Sequence, residues 1–344
     1  DRSEIQIMQP KARDIHDAAM GCLLGALVGD AAGATLEFLG RQPTLEDAHR
    51  AMQMPRGGVL GVAPGQITDD GELTLCLAQA LAESQEFEIE SIAKNYARWV
   101  DSNPFDIGNT TSASLGSYAQ PQWHEILAKQ GYAAVMTQAA ARRCMKSKSN
   151  GSLMRCSPLG IWGYRLSDEE LASFARQDSQ LSHPHPSCCY AVACYTIAIA
   201  SLMREFGDRN VAFNRAKCWL ESQEESANQE VLSWLSDAEN NVNVEYSPQD
   251  GFVKIAFTHA FRHLLLGSDY EEAIVETLTG GGDTDTNACI VGGLIGASYG
   301  ADSIPESMKS SVLNCNTRSG ESPRPGFLSA GQAPLVVAKL LKLE

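Results

Sequence analysis

Two short acidic stretches, separated by more than two hundred residues, constrain the fold of this chain more than any other feature. The first is Thr68-Asp69-Asp70-Gly71 and the second is Gly281-Gly282-Asp283-Thr284-Asp285-Thr286, and an apolar segment follows each. Four carboxylates at the beginnings of apolar helices repel one another and resist burial unless an opposite charge neutralises them. Mg²⁺ and Ca²⁺ bind the oxygens of Asp, Thr and water. The pattern therefore predicts that the two stretches meet around one or two divalent ions.

Each stretch taken alone has a simpler interpretation. Asp and Thr are common N-cap residues, and negative side chains stabilise the positive end of a helix dipole. Capping requires only one residue, however, whereas each stretch supplies two carboxylates with hydroxyl groups beside them. This excess of acidic groups favours the metal site.

The charge and composition of the chain exclude several classes of protein. The net charge of −15 argues against a nucleic-acid partner, because a phosphate backbone requires clustered Lys and Arg. Ten cysteines lie scattered without a CxxC pair, which is typical of a reducing cytoplasm. The apolar runs 18–29, 189–203 and 288–299 are shorter than the ~20 residues of a membrane span. We therefore expect a cytoplasmic protein with buried apolar helices and no membrane partner.

The distribution of apolar residues predicts an all-α fold. Ala- and Leu-rich segments dominate, and no alternating run of β-branched residues indicates a strand. The first predicted helix covers about 15–38, and three glycines repeat in it at four-residue spacing: Gly25, Gly29 and Gly33. Such a row of glycines allows another backbone to pack closely. Glu37 continues the same spacing, either as a solvated residue at the helix end or as a group directed into the site.

The domain organisation follows from the metal hypothesis. Residues near 70 and near 284 have to share one site, and no linker separates the two halves of the chain. We therefore expect a flexible N-terminal extension over residues 1–14 and a single domain over residues 15–344.

Two polar turns between the acidic stretches are candidates for binding an anion. Gly108-Asn109-Thr110-Thr111 and Ser149-Asn150-Gly151-Ser152 each precede a predicted helix. Backbone N–H groups of small residues at a helix N-terminus bind phosphate, although one such turn alone is more often a plain cap. The two turns together predict a ligand that carries phosphate. His183-Pro184 adds an imidazole on a stiff, extended segment.

These features occur together, and in the same order, in a known family. The chain resembles the ADP-ribosylglycohydrolase family, which includes the dinitrogen reductase-activating glycohydrolases and the vertebrate ADP-ribosylarginine hydrolases. The resemblance extends over residues 15–335. It rests on the glycine-bearing first helix with Glu37 and on the motifs at 68–70, 108–111, 149–155, 183–184 and 281–286.

The resemblance implies an orthogonally packed helical domain with two Mg²⁺ ions, or Mn²⁺, in a cleft. The implied metal ligands come from both acidic stretches: Thr68, Asp69, Asp70, Asp283, Asp285 and Thr286. The implied catalytic residues are Asp70, Glu37 and Asp283, and either Asp70 or Glu37 is the base. The implied ADP-ribose contacts are Gly108, Asn109, Thr110, Asn150, Gly151, Ser152 and His183. Gly71 departs from the usual Thr or Ser, which implies a wider cleft or a looser turn without loss of activity.

The expected activity is removal of ADP-ribose from modified protein side chains, with ADP-ribosyl-arginine as the first choice of linkage. ADP-ribosyl-serine and O-acetyl-ADP-ribose are the alternatives. A metal-dependent phosphatase or nucleotide hydrolase would also use paired Asp residues and phosphate loops. A catalytically silent relative is a further alternative, since the family includes a lens crystallin. Some bacterial relatives are immunity proteins, and the extension 1–14 is the candidate contact with an ADP-ribosylating toxin.

Overall fold

The computed structural model describes residues 12–224 and 226–342, and their secondary structure is helical. Within these ranges there are seventeen α-helices and five short 3-10 helices, and the β-type pairing consists of two isolated bridges. The all-α class predicted from the sequence is confirmed. Residues 1–11 lie outside the described part of the chain, so the extension over 1–14 stays a prediction, and the first helix begins at Ala12.

The α-helices, in chain order, are α1 Ala12–Ala34, α2 Leu45–Met52, α3 Asp69–Glu83, α4 Ile89–Asp101, α5 Asn109–Leu115, α6 His124–Gln130, α7 Tyr132–Arg143, α8 Ser157–Trp162, α9 Asp168–Gln180, α10 Pro186–Arg204, α11 Arg209–Glu221, α12 Ala227–Glu239, α13 Val253–Leu266, α14 Tyr270–Gly280, α15 Thr284–Tyr299, α16 Glu306–Leu313 and α17 Ala333–Leu340.

The backbones of α1 and α15 pack directly against each other through glycines. A methyl group on Gly25 would lie 2.3 Å from the carbonyl oxygen of Gly292, and one on Gly29 would lie 2.1 Å from that of Ala288. Side chains do not tolerate contacts this short, so the helices approach only because these positions lack a Cβ. The close approach predicted from the glycine spacing is confirmed. The contact continues to Gly33, where a methyl group would lie 2.4 Å from the Cα of Asp285.

The beginning of α3 is held in place by the middle of α1. Asp30 is fully buried and accepts hydrogen bonds from the backbone N–H groups of Thr68 and Gly71, both at 2.8 Å. Such N–H groups have no partner inside their own helix, and Thr68 does not cap α3 with its own side chain. Asp30 therefore caps α3 from another helix. Gly71 is buried beside Asp30 and Ile67, and it does not belong to the lining of the main cavity.

Two predicted elements differ from the structure. The first helix, predicted over 15–38, ends at Ala34, and Glu37 lies in the turn that follows. The turn at Ser149–Ser152 does not open a helix directly, since α8 begins at Ser157.

The composition of segment 40–67, which is rich in Gly and Pro, predicts a long loop, but the segment contains α2. Thr44 and Asp47 form a reciprocal capping box at the N-terminus of this helix, in which each side chain accepts a hydrogen bond from the backbone N–H of the other. The Gly and Pro residues that indicated a loop lie on either side of α2 and do not interrupt it.

Among the residues that the structure describes, two helices are long and apolar enough to cross a membrane by length and composition alone. They cover Asp14–Ala34 and Pro186–Arg204, and 83% and 94% of their apolar windows lie buried inside the protein. Helices in the core of a soluble protein have the same properties, so this finding is weak evidence for a membrane span.

We predict that Gly29→Ala destabilises the protein by about 3 kcal/mol, the upper end of the roughly 1–3 kcal/mol that overpacking typically costs, because the methyl group would meet the backbone of α15. The measurement is urea unfolding followed by circular dichroism. Gly326→Ala is the matched control, because a methyl group there meets no atom within 4 Å. Equal stability of the two variants would show that the contact between α1 and α15 tolerates a side chain.

Candidate active site

The two acidic stretches meet at one cavity of about 690 Å³. Its lining comes from segments that lie far apart in the sequence: 36–43, Asp69, Asp106, 108–111, 149–151, Met154, His183, Ser247, 250–251, 281–283 and 285–286. Most of the site residues predicted from the sequence are therefore brought together. Three of them do not line the cavity and are buried beneath its surface: Thr68, Asp70 and Ser152.

Three carboxylates converge on the hydroxyl group of Thr68. Its Oγ1 lies 2.6 Å from Asp30 Oδ1, 2.9 Å from Asp70 Oδ2 and 3.0 Å from Asp285 Oδ2. A hydroxyl group has a single hydrogen, so it donates to only one of these oxygens. The other carboxylates need a proton or a cation between them, because buried like charges repel.

The surroundings of the Asp70 carboxylate show whether a divalent cation fits this site. The residue is only 1% exposed, and its Oδ1 has no hydrogen-bond partner among the described residues. Leaving such a buried oxygen unpaired costs about 1–3 kcal/mol or more. Asp30, Asp70 and Asp285 each offer an oxygen within 4.8 Å of the others. An all-oxygen donor set with an unpaired carboxylate oxygen fits a hard divalent cation.

A second group of carboxylates lies where α1 meets the N-terminus of α15. Glu37, Asp283 and Asp285 also offer oxygens within 4.8 Å of one another. Glu37 Oε1 accepts a hydrogen bond from Thr284 Oγ1 at 2.9 Å, while Asn150 Nδ2 donates to Asp283 Oδ2 at 3.0 Å. Both carboxylates are thus held in place by neutral donors.

The structure adds two acidic residues that the sequence analysis did not assign to the site. Asp106 forms a third group with Asp69 and Asp285, and it lines the cavity half-buried. Asp30 belongs to the first group. One signal was available for Asp30, because a lone carboxylate inside an apolar helix is seldom buried without a charged or polar partner. Asp285 belongs to all three groups, so it connects them.

Burial and mutual repulsion raise the pKa values of these carboxyl groups. Burial, followed by repulsion from Asp283, raises the pKa of Glu37 to about 8 and that of Asp70 to about 6. Burial, followed by repulsion from Glu37, raises the pKa of Asp285 well above its usual range. A buried carboxyl group whose pKa lies above neutral pH, as that of Glu37 does, keeps its proton at neutral pH unless a cation replaces it.

Another part of the cavity lining comes from the two turns that were predicted to bind an anion. The N–H of Asn150 donates to the carbonyl of Gly251 at 3.0 Å, and the N–H of Val253 donates to the carbonyl of Lys148 at 2.8 Å. These bonds fix the turn at Ser149–Ser152 to the segment that precedes α13.

Gly151 lines the cavity, whereas the side chain of Ser152 does not. A methyl group on Gly151 would lie 2.6 Å from His183 Cε1, so glycine is required for the imidazole to lie beside this turn. The Ser152 side chain is fully buried, and its Oγ accepts a hydrogen bond from Ser179 Oγ at 2.8 Å. The hydroxyl group of Ser152 is therefore engaged by the core.

Known proteins are similar to this chain over most of its length. ADP-ribosyl-(dinitrogen reductase) glycohydrolase of Rhodospirillum rubrum is 28% identical over 297 residues, which cover 85% of this chain and 88% of that protein. ADP-ribosylarginine hydrolase Tri1 of Pseudomonas putida is 29% identical over 305 residues, which cover 84% and 72%. A solved structure described as an ADP-ribosylglycohydrolase-related protein complex has the same fold, with a TM-score of 0.70 at 22% identity over 96% of this chain and 99% of that chain.

The family relationship extends from the first helix to beyond the second acidic stretch. The family model described as ADP-ribosylglycohydrolase matches residues 11–326. This range contains every residue that lines the cavity. The chain therefore belongs to the ADP-ribosylglycohydrolase family.

Proposed function

We propose that this protein is a magnesium-dependent hydrolase that removes ADP-ribose from modified protein side chains, with ADP-ribosyl-arginine as the preferred linkage. Family membership supports hydrolysis of an ADP-ribosyl bond. The observation that carries the proposal is the convergence of Asp30, Asp70 and Asp285 on Thr68, next to a wall of small polar turns. The cavity of about 690 Å³ lies within the roughly 300–1,000 Å³ of small-molecule sites, which suits a ligand of this class.

The chain offers oxygen ligands for Mg²⁺, or Mn²⁺, from both acidic stretches. The residues that would hold two ions are Thr68, Asp69, Asp70, Asp283, Asp285 and Thr286. When bound, such ions polarise the hydroxyl groups of the ribose and lower the pKa of water. Asp30 and Asn150 would orient these ligands, because they already contact Thr68 and Asp283.

Glu37 is the better placed of the two candidate bases. It lines the cavity, whereas Asp70 is buried beneath it. Glu37 Oε1 is engaged by Thr284, which leaves Oε2 to accept a proton from water that attacks the anomeric carbon. Asp106 lines the same cavity and is a second carboxyl group for proton exchange with the departing group. We assign the role of base to Glu37.

The acidity of the cavity favours a cationic leaving group. Glu37, Asp106, Asp250 and Asp283 all line it, and the Arg41 guanidinium in its lining is paired with Asp47 at 2.6 Å. A guanidinium on the departing side chain is attracted by this potential, whereas a serine hydroxyl is not. This argument supports the arginine linkage over the serine and O-acetyl alternatives.

Two rival functions make different products. A phosphatase or nucleotide hydrolase would release phosphate or AMP, whereas the proposed reaction releases intact ADP-ribose. A silent relative would release nothing, and the presence of all four acidic-stretch Asp residues counts against it. An immunity role that uses residues 1–14 stays a prediction, since residues 1–11 lie outside the described part of the chain.

We predict that Asp285→Asn abolishes both Mg²⁺ binding and ADP-ribose release, because this residue joins all three carboxylate groups. The same change raises the melting temperature in the presence of a chelator, because it removes a buried carboxyl group that is repelled by its neighbours or must take up a proton on folding. Calorimetric titration with Mg²⁺, a product assay and thermal unfolding measure the three quantities. Asp250→Asn is the control, because Asp250 lines the rim of the cavity, exposed and outside these groups.

The metal role would be excluded if Asp283→Ala and Asp285→Asn both kept full activity in magnesium-free buffer.

We predict that arginine-linked ADP-ribosyl peptides are cleaved at least about tenfold faster, in kcat/KM, than serine-linked peptides or O-acetyl-ADP-ribose, which corresponds to roughly 1.4 kcal/mol of transition-state discrimination. Mass spectrometry of the products, with Mg²⁺ and with a chelator, measures both the linkage and the product class. Equal rates on all three substrates would contradict the charge argument, and release of AMP would contradict the proposed reaction.

A further inference from the structure

A row of hydrogen-bonded side chains connects a buried ion pair to the wall of the cavity that carries the polar turns. Its members, in order, are Arg155, Ser182, His183, Ser149, Ser147 and Thr110. The successive donor–acceptor distances are 2.7, 2.7, 2.9, 3.1 and 2.9 Å. Only the last three residues belong to the two predicted anion-binding turns or their flanks, so the row begins deep in the core.

The direction of hydrogen bonding is set at the buried end. Arg155 is fully buried, and its guanidinium donates through Nε to the Asp178 carboxylate at 3.2 Å and through Nη2 to the Asp178 backbone carbonyl at 2.7 Å. Asp178 also accepts a hydrogen bond from Tyr96 at 2.6 Å, which holds the pair in place. A guanidinium can only donate, so the third contact of Arg155, at 2.7 Å, makes the Ser182 oxygen an acceptor.

Ser182 then determines the tautomer of His183. Its single hydrogen has one acceptor within reach, His183 Nδ1 at 2.7 Å. If Nδ1 carried the proton instead, the buried Ser182 hydroxyl would have no acceptor, and folded proteins avoid this. Burial and the neighbouring Arg155 charge lower the pKa of His183 to about 3, so the ring is neutral and its proton lies on Nε2.

The donor and acceptor roles of the remaining hydroxyl groups, between His183 and the cavity, follow in the same way. His183 Nε2 donates to Ser149 Oγ at 2.9 Å, which leaves the Ser149 hydrogen for Ser147 Oγ. The hydrogen of Ser147 is then directed to Thr110 Oγ1. The Thr110 hydrogen has no acceptor among the described side chains of this row, and Thr110 lines the cavity.

We propose that Arg155 and Ser182 are positioning residues for ligand binding, which act by giving this row one direction, so that Thr110 presents a hydrogen-bond donor to an anionic oxygen of the ligand. The row also ties the turn at 108–111 to the turn at 149–152. The proposal rests on the proposed function in one respect, since the diphosphate of ADP-ribose supplies the anionic oxygen.

This arrangement suits the charge of the site. A cationic side chain next to the acidic groups would pair with them and compete with the divalent ions. Arg155 sets the donor and acceptor roles along a row of neutral groups. These roles extend to the cavity, whereas the positive charge stays in the core. The donor at Thr110 is a neutral hydroxyl that nevertheless has a fixed direction.

The test compares Ser182→Ala with Ser201→Ala. Ser201 is the matched control, because it is also fully buried and its Oγ has no hydrogen-bond partner among the described residues. The first readout is the ¹⁵N chemical shifts of the His183 ring, which distinguish the two tautomers. The second is the Kd for ADP-ribose, measured by calorimetry in the presence of Mg²⁺.

We expect the wild-type protein and Ser201→Ala to carry the His183 proton on Nε2, and Ser182→Ala to lose this preference. The Kd of Ser182→Ala is expected to rise about tenfold, as for the loss of one hydrogen bond to a charged group. Thr110→Val removes the last hydroxyl without changing the side-chain shape, and its Kd rises by a similar factor. The double variant that combines Ser182→Ala with Thr110→Val has a Kd for ADP-ribose no higher than that of the weaker-binding single variant, because both changes interrupt the same row of hydrogen bonds.

Several results would overturn the proposal. A wild-type His183 with its proton on Nδ1 would do so before any variant is made, which keeps the test valid if Ser182→Ala does not fold. The proposal would also be overturned if the Kd of Ser182→Ala lay within twofold of that of Ser201→Ala. Additive losses of binding free energy in the double variant would overturn it as well. Failure of the proposed function is a separate result: the wild-type protein would not bind ADP-ribose, while the His183 tautomer would still report on the row.

Discussion

The contact between the backbones of α1 and α15 is the constraint on which the site depends. Glycines on both helices allow this approach, and it brings the N-terminus of α15 to the end of α1. Thr284 Oγ1 then lies 3.0 Å from the carbonyl oxygen of Gly33. One turn earlier on α1, Asp30 caps the beginning of α3. A single helix thus fixes both acidic stretches, and the separation of the carboxylates is set by the packing of the core.

A site built in this way is electrostatically unfavourable before any cation binds. The carboxyl groups are buried, and their pKa values are raised by burial and by one another. Each feature weakens the folded state, so the stability that maintains this geometry comes from apolar packing elsewhere. The same unfavourable arrangement gives the site its affinity for a divalent ion, because the ion removes the repulsion without requiring the backbone to move.

The sequence was sufficient to predict the fold class and the main composition of the site. Carboxylates at the beginnings of apolar helices have few physical interpretations, and a four-residue glycine repeat has few as well. The depth of each side chain could not be predicted in the same way. Three residues that the sequence analysis assigned to the site lie buried beneath the cavity: Thr68, Asp70 and Ser152. Their depth could not be predicted, because a sequence pattern does not give the direction of a side chain. Asp30 and Asp106 were missed because each stands alone in its local sequence.

The acidic part of the cavity and the part formed by the polar turns have opposite electrostatic requirements. The acidic wall must stay free of cationic side chains in order to hold divalent ions, whereas the wall that receives a diphosphate needs donors. A protein with a net charge of −15 can meet both needs if the donors are neutral and their directions are fixed. Arg155 is fully buried and paired with Asp178, so its charge is separated from the acidic groups. Its effect on the cavity then passes through Ser182 and His183, which transmit direction but no charge.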